Sequence, residues 1–293
     1  VTVLGEWERE TYRIIPNFTE ADAEPENEVG AVAADYRYSQ DALTVTASLR
    51  HDINDLFKDA TTWRVGAGYA LPWDGRLRAS VGTGIKNPSM IELFGFFPGS
   101  NFTGNRDLQP EESLGLSVGY EQSVGNFEGS IDVFYSELQD EITTVFNPDF
   151  TSTVINLDTD STRSGIELEG RYTLGDFVIT GAATLLDSEQ DGLEEIRRPD
   201  FTASASINWN ATDDLFLSAF IDHTGSQRDT DFATFTDVTL DSFTLIGAHA
   251  NYALNDVVSV SLRGENLLDA DYQEIVGFTS PGRAVFMGLS ADF

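Results

Sequence analysis

Four phenylalanines and one arginine crowd a short stretch of this chain: Phe94, Phe96, Phe97, Phe102 and Arg106. Aromatic rings beside a guanidinium can grip a planar or apolar ligand through stacking and cation–π attraction. The same rings can instead pack against one another within their own segment, and the sequence leaves both readings open. Other chemistry is thinner. The paired acids Glu111-Glu112 and Glu194-Glu195 read as solvated loop charges in a chain where acids are frequent. His51, His223 and His249 stand singly in strand-like runs, with no H-E-x-x-H spacing around them, and read as ordinary face residues. There is no G-x-S-x-G elbow and no phosphate-binding P-loop. With no cysteine, disulfides, thiolate zinc sites and cysteine nucleophiles are excluded. No catalytic constellation stands out, so the chain is expected not to be an enzyme.

Charge narrows the partners. Seventeen basic residues face 49 acidic ones, for a net charge of -32. Such a surface is a poor match for nucleic acid. Segment 16–27 carries Glu20, Asp22, Glu24 and Glu26 and no base; segment 226–241 carries Asp229, Asp231, Asp237 and Asp241 against Arg228. These acids fit a solvated surface adapted to salt, and calcium bridging between them is a separate expectation. No resident cofactor is otherwise implied.

The elements that must position these residues are strands. Leu43, Val45, Ala47 and Leu49 alternate with Thr44, Thr46 and Ser48. Phe201, Ala203, Ala205, Ile207 and Trp209 alternate with Thr202, Ser204, Ser206 and Asn208. Period 2 over many segments predicts half-apolar strands. About fourteen are expected, near 1–15, 28–38, 42–52, 61–70, 76–85, 113–123, 126–146, 151–173, 176–187, 198–209, 214–225, 242–252, 257–266 and 283–293. Those at 126–146 and 151–173 are long enough to project beyond a bilayer. No run approaches the roughly 20 apolar residues of a membrane-crossing helix, so any crossing must be made by strands closed into a barrel.

The connections alternate short and long. Ser39-Gln40-Asp41, Val124-Gly125 and Leu174-Gly175-Asp176 are tight turns, whereas 86–112, 226–241 and 267–282 are long loops. Outer-membrane barrels show this parity, with short periplasmic turns and long extracellular loops. Trp7, Tyr12, Tyr36, Tyr38, Trp63, Tyr69, Trp73, Tyr120, Trp209 and Tyr252 lie near strand ends, where interfacial aromatic girdles belong. Gly66, Gly68, Gly82 and Gly84 sit within strands and read as bent or lumen-facing positions. The last run places Val285, Met287, Leu289, Ala291 and Phe293 on one face, and Phe286 is the one bulky residue opposite. Val1 opens inside a strand pattern with no leader-like region, and the chain is read as a fragment.

Two segments resemble a known family, the TonB-dependent outer-membrane receptors. Gly84-Ile85-Lys86-Asn87-Pro88-Ser89-Met90-Ile91-Glu92-Leu93-Phe94-Gly95, continued by Gly104-Asn105-Arg106-Asp107-Leu108-Gln109-Pro110-Glu111-Glu112-Ser113, is similar to its F-(K/R)-x-P-x-x-x-E-L and G-N-P-x-L-x-P-E-x-S patterns. Ile85-Lys86 stands in place of a plainer Phe-Lys/Arg start, and Arg106 where proline is usual. Glu265-Asn266-Leu267-Leu268-Asp269-Ala270-Asp271-Tyr272, then Pro281-Gly282-Arg283 and the run to Phe293, is similar to its closing pattern, with Leu268 in place of phenylalanine. The Pro and Glu of the first pattern are expected to fix the loop and the strand after it.

The overall look is closest to the cobalamin and ferric-siderophore branch. The resemblance implies an all-β, antiparallel transmembrane barrel of 22 strands, of which residues 1–293 are the C-terminal portion. On that resemblance, the N-terminal plug domain and first barrel strands are expected to be absent from this sequence. It further implies a monomer in the bacterial outer membrane, surrounded by lipid. It would import an iron chelate or cobalamin-like corrinoid with energy from TonB–ExbB–ExbD through the plug. The rival readings are a complete 14-stranded passive channel and a soluble acidic β adhesion or glycan-binding module.

Overall fold

The computed structural model describes residues 1–13, 24–96 and 100–291. Phe97 and Phe293, with most of segment 16–27, lie outside them. In chain order the elements are β1 (Thr2–Thr11), β2 (Glu26–Gln40), β3 (Leu43–Asn54), β4 (Ala60–Ala70), β5 (Gly75–Lys86), α1 (Met90–Phe94), β6 (Phe102–Thr103), β7 (Glu111–Val124) and β8 (Phe127–Gln139). Next come β9 (Ile142–Phe146), β10 (Ser152–Asn156), β11 (Ser161–Leu174), β12 (Phe177–Gln190), β13 (Leu193–Glu194), β14 (Phe201–Asn210) and β15 (Leu215–Thr224). The last are β16 (Gln227–Asp231), β17 (Thr236–Leu240), β18 (Phe243–Ala253), β19 (Val258–Glu265) and β20 (Ala284–Ala291). Among the described residues, the strands of eight residues or more number fourteen.

The chain forms two compact units: Val1–Ala70, Arg78–Val118 and Phe134–Thr162 in one, Leu71–Leu77, Gly119–Val133 and Arg163–Phe293 in the other. In the first, β1 to β4 pair antiparallel in chain order, with Ala31 opposite Asp52 and Ala47 opposite Val65. In the second, β12, β14, β15, β18, β19 and β20 do the same. Sequential pairing is what tight hairpins dictate. The first turn residues Asp41, Gly125 and Gly175 take φ of 51°, 58° and 57°, a left-handed conformation open to glycine and tolerated by aspartate.

Two expected strands divide. The run 126–146 breaks at Asp140, whose φ is 54°, and 151–173 breaks between Asn156 and Ser161. The distal pieces β9 and β10 pair with each other, and β10 also pairs parallel with β6. The local loop sheet satisfies backbone groups that a straight projection would leave to water.

Burial is inverted relative to a water-soluble sheet. Among the described residues the buried hydrophobics are Ala31, Met90, Leu93, Leu108, Val154 and Leu240. The apolar strand faces are uncovered: Leu49, Leu168, Leu185, Leu262 and Met287 are all exposed. Sheets in water bury one face against a second layer. A face this apolar and this open has hydrocarbon as its solvent. Trp63, Tyr69, Trp209 and Tyr252 stand exposed near strand ends, as an interfacial girdle requires, whereas exposed Trp7 lies midway along β1. Tyr12 departs from that expectation. Its hydroxyl donates to Gly95 O at 2.9 Å, and its ring packs against the Met90 cluster.

Glycine in β5 answers to backbone proximity. A Cβ on Gly82 would lie 2.7 Å from Trp63 O and 2.9 Å from Arg64 Cβ. Phe286 is tolerated on the polar face of β20 because the Arg263 guanidinium lies over its ring at 4.8 Å, and the two residues are register partners.

Candidate functional site

In the first unit, the segment from Lys86 to Glu111 is a built structure. Pro88 disfavours helix in the residue before it, and Ser89 then caps α1. Ser89 Oγ accepts the Glu92 N–H at 3.3 Å, and Glu92 Oε2 accepts the Ser89 N–H at 2.7 Å. This reciprocal pair is a capping box, which gives the P-x-x-x-E spacing a physical reason. Met90 and Leu93 point into a small core with Leu108 and Val154. Gly104 crosses so closely behind the helix that a Cβ there would lie 2.5 Å from Gly95 N and 2.7 Å from Leu93 O.

Asparagines tie this loop to the hairpin of β9 and β10. Asn105 Nδ2 donates to Val154 O at 3.0 Å. Asn156 accepts the Gln109 N–H at 2.8 Å and donates back to Gln109 O at 2.9 Å. Glu111 is buried, bonded to Lys86 Nζ at 2.9 Å and to the Ile142 N–H at 3.0 Å.

The four described ligand candidates come together here. Arg106 lies over the Phe94 ring at 4.9 Å, and the Phe96 and Phe102 rings are 5.3 Å apart and tilted at 56°. Their surroundings differ, however. Phe94 and Phe102 pack against the Met90 cluster, while Phe96 and Arg106 are exposed. Packing within the loop thus accounts for two of the rings, and Phe96 with Arg106 remains presented outward.

In the second unit, three loop segments meet at one carboxylate. Asp229 is fully buried. Its Oδ1 accepts from Arg197 Nε at 2.9 Å and from the Thr230 N–H at 2.8 Å; its Oδ2 accepts the Val276 N–H at 2.8 Å. Burial pushes this carboxyl up, but the two backbone N–H groups and Arg197 outweigh it and hold the group below the ordinary aspartate value. Gln227 Nε2 adds a bond to Glu274 O at 3.0 Å.

A second buried acid, Glu195, binds Arg163 through two oxygens at 2.7 and 2.8 Å and Arg198 at 3.2 Å. Burial raises its pKa, and the two guanidiniums more than reverse that. Exposed Phe232, Phe235 and Phe278 stand out from the loops so fixed.

Each acidic pair therefore splits. Glu112 and Glu194 are exposed, as read from the sequence, but Glu111 and Glu195 are buried and paired. The available signal was the scarcity of cations: with 17 bases against 49 acids, an arginine in a loop has a carboxylate to hold.

The closing motif is also structural. Asn266, buried with φ 45°, accepts the Ala270 N–H at 2.8 Å and donates to Ala270 O and Pro281 O at 2.9 and 3.2 Å. Asp269 Oδ1 accepts the Arg283 N–H at 2.8 Å, and Tyr272 packs its ring 4.4 Å from Phe243. These bonds aim the chain into β20. His51 and His223 bond the threonines Thr61 and Thr244 beside them and, like His249 against Phe216, belong to strand faces.

Comparison with known proteins fits this arrangement. The family described as "TonB dependent receptor-like, beta-barrel" matches residues 5–267. The vitamin B12 transporter BtuB of Vibrio vulnificus is 29% identical over 256 residues, 85% of this chain and 39% of that protein. The vitamin B12 transporter BtuB of Photobacterium profundum is 29% identical over 274 residues, 91% of this chain and 43% of that protein.

Among solved structures, the siderophore receptor PirA from Acinetobacter baumannii superimposes with a TM-score of 0.83 at 17% identity, over 99% of this chain and 52% of that one. A ferric enterobactin receptor (PfeA) mutant from Pseudomonas aeruginosa, in complex with enterobactin, gives 0.79 at 18% identity, over 99% and 51%. The chain thus spans about two fifths of the curated relatives it matches and about half of these solved chains. The relatives are transporters and receptors rather than enzymes, and barrels of this kind reside in the bacterial outer membrane.

Proposed function

We propose, from the premise that this chain belongs to the TonB dependent receptor-like β-barrel family, that it forms part of an outer-membrane receptor for a scarce metal-centred ligand. The ligand class is a cobalamin-like corrinoid or a ferric siderophore. Corrinoid comes first because the relatives alignable over 85% and 91% of the chain are vitamin B12 transporters. The family match over residues 5–267 is the observation that carries the reading.

The chain's own residues divide the work by position. The apolar strand faces hold it in lipid. Each unit carries its own candidate patch for a planar or apolar surface: Phe96 with the Arg106 guanidinium in one, and Phe232, Phe235 and Phe278 in the other. Asp229 and Glu195 fix the loops that carry the second group, so less ordering is left to the moment of binding. Passage would be driven by TonB–ExbB–ExbD acting on a plug domain, with the receptor as a monomer. Calcium bridging between acidic loops is a separate proposal, and it excludes Asp229, which is fully buried and already accepts three hydrogen bonds. Calorimetry with no calcium heat would remove it.

The test is uptake by the full-length gene product in a host stripped of its own corrinoid and siderophore receptors. Growth rescue under cobalamin or iron limitation that disappears when TonB is deleted is expected. Rescue that persists without TonB would overturn the reading in favour of a passive channel.

A further inference from the structure

The apolar face of the second unit is not uniform. One register row crosses five strands: Ile207 on β14 faces Ala219 on β15, which faces Ala248 on β18, then Gly264 on β19, then Val285 on β20. The row is bulky at both ends and small in the middle. Leu217 and Leu262 rise in the adjacent row, with Ala250 between them. On the other flank Leu267 closes over Gly264, where a Cβ would lie 2.6 Å from its Cδ2. Together these walls enclose a groove of about 440 Å³.

Water gains nothing in a groove with this lining. An apolar recess stays dry because a water needs two to four polar partners. Left empty, it forfeits dispersion contacts along its whole wall. The groove is continuous with the lipid-facing surface, so hydrocarbon is its natural filling. Orientation follows from the register. Trp209 and Tyr252 lie two residues toward the turns from Ile207 and Ala250, about 7 Å along each strand. Those aromatics mark headgroup level, and the turns beyond them are the short, periplasmic kind. Exposed Asp213, Asp214 and Asp256 occupy these turns, and residues 210–214 and 253–257 contain no base.

We infer that this groove is a binding site for one acyl chain of a periplasmic-leaflet phospholipid bearing an amine headgroup. The chain lies over Ala219, Ala248 and Gly264, and the ammonium sits among the turn aspartates, which disfavour an anionic lipid. The site depends on residence in the membrane and on no particular uptake ligand.

Native mass spectrometry of the full-length protein in mild detergent, titrated with phosphatidylethanolamine or phosphatidylglycerol, tests it. One phosphatidylethanolamine adduct is expected to outlast all others. Ala248→Leu and, separately, Ala219→Leu should weaken it about tenfold, while Ala67→Leu, on the apolar face of the other unit, should not. Heat-modifiable gel mobility identifies which variants are folded. If both groove variants misfold, loss of the wild-type adduct on competition with a long-chain alkyl detergent, but not with a bulky sterol detergent, supports the site. Retention unchanged in a folded groove variant, or tighter binding of phosphatidylglycerol, overturns it; so does a row that proves to seat a second copy of the chain.

Discussion

At the scale of single residues, the informative side chains are the buried acids. Glu195 has an 8% exposed side chain between Arg163 and Arg198. Replacing Arg163 with methionine keeps the bulk but leaves the buried carboxylate only the half-exposed Arg198, at 3.2 Å. Removing the sole partner of a buried charge costs about 3 kcal/mol, and with Arg198 still in place the loss here is expected to be smaller, about 1–2 kcal/mol. Arg163→Met is therefore expected to open loop 188–200 to protease at neutral pH, and Arg163→Met with Glu195→Gln should recover much of the loss. Limited proteolysis of the two variants side by side checks this.

The pH dependence has a definite sign. The carboxyls of Asp229 and Glu195 are held below their unfolded values of 3.8 and 4.5, so their contribution is complete above those values and fades as pH falls through the lowered folded ones. Loop protection should be flat from neutral pH down to about 5 and fall below about 4. Asp229→Asn should lower protection at neutral pH and flatten the acid limb.

At the scale of elements, the motif residues prove to be joints. Ser89 and Glu92 cap a helix of five residues, too short to hold itself together. Ser89→Ala should cost about 1 kcal/mol, read as faster hydrogen exchange of the Leu93 and Gly95 amides with strand protection unchanged. Strand existence and face were legible because alternation such as Leu43, Val45, Ala47 and Leu49 is a direct record of one apolar side. Hairpin positions were legible from Asp41, Gly125 and Gly175 for the same local reason. Less legible was the break at Asp140, which follows from the pairing of β9 with β10. The hub at Asp229 was hidden too, because Arg197 and Val276 are 32 and 47 residues away. Local pattern announces strands; it is silent on which distant loop will supply a guanidinium. The aromatic cluster was half visible, since Phe94 and Phe102 spend their rings on packing that only Val154 and Ile142 reveal.

At the scale of the whole molecule, charge and apolar surface act together. In the receptor proposed above, this chain's net charge of -32 sets a field that an approaching ligand must cross. An anionic ferric chelate should associate faster as salt rises from about 0.01 M to about 0.15 M, where the screening length falls from roughly 30 to 8 Å. A neutral corrinoid should show almost no such dependence. Stopped-flow association of each ligand class with the full-length receptor across that range separates the two, and the direction of the salt effect identifies the charge of the preferred cargo.

The carboxylate that joins three loops has a kinetic consequence. The amides of Thr230 and Val276 both end on Asp229, and the Arg197 amide ends on Arg228 O next to it. Neither Thr230 nor Val276 can expose its N–H without giving up a bond to the same carboxylate, the one through Oδ1 and the other through Oδ2. Their exchange with deuterium should follow one shared opening event and slow in parallel when any of the three loops is restrained. A molecule that touches only Phe232 would then quiet residues beyond Glu274, and information would pass along the surface without any strand moving.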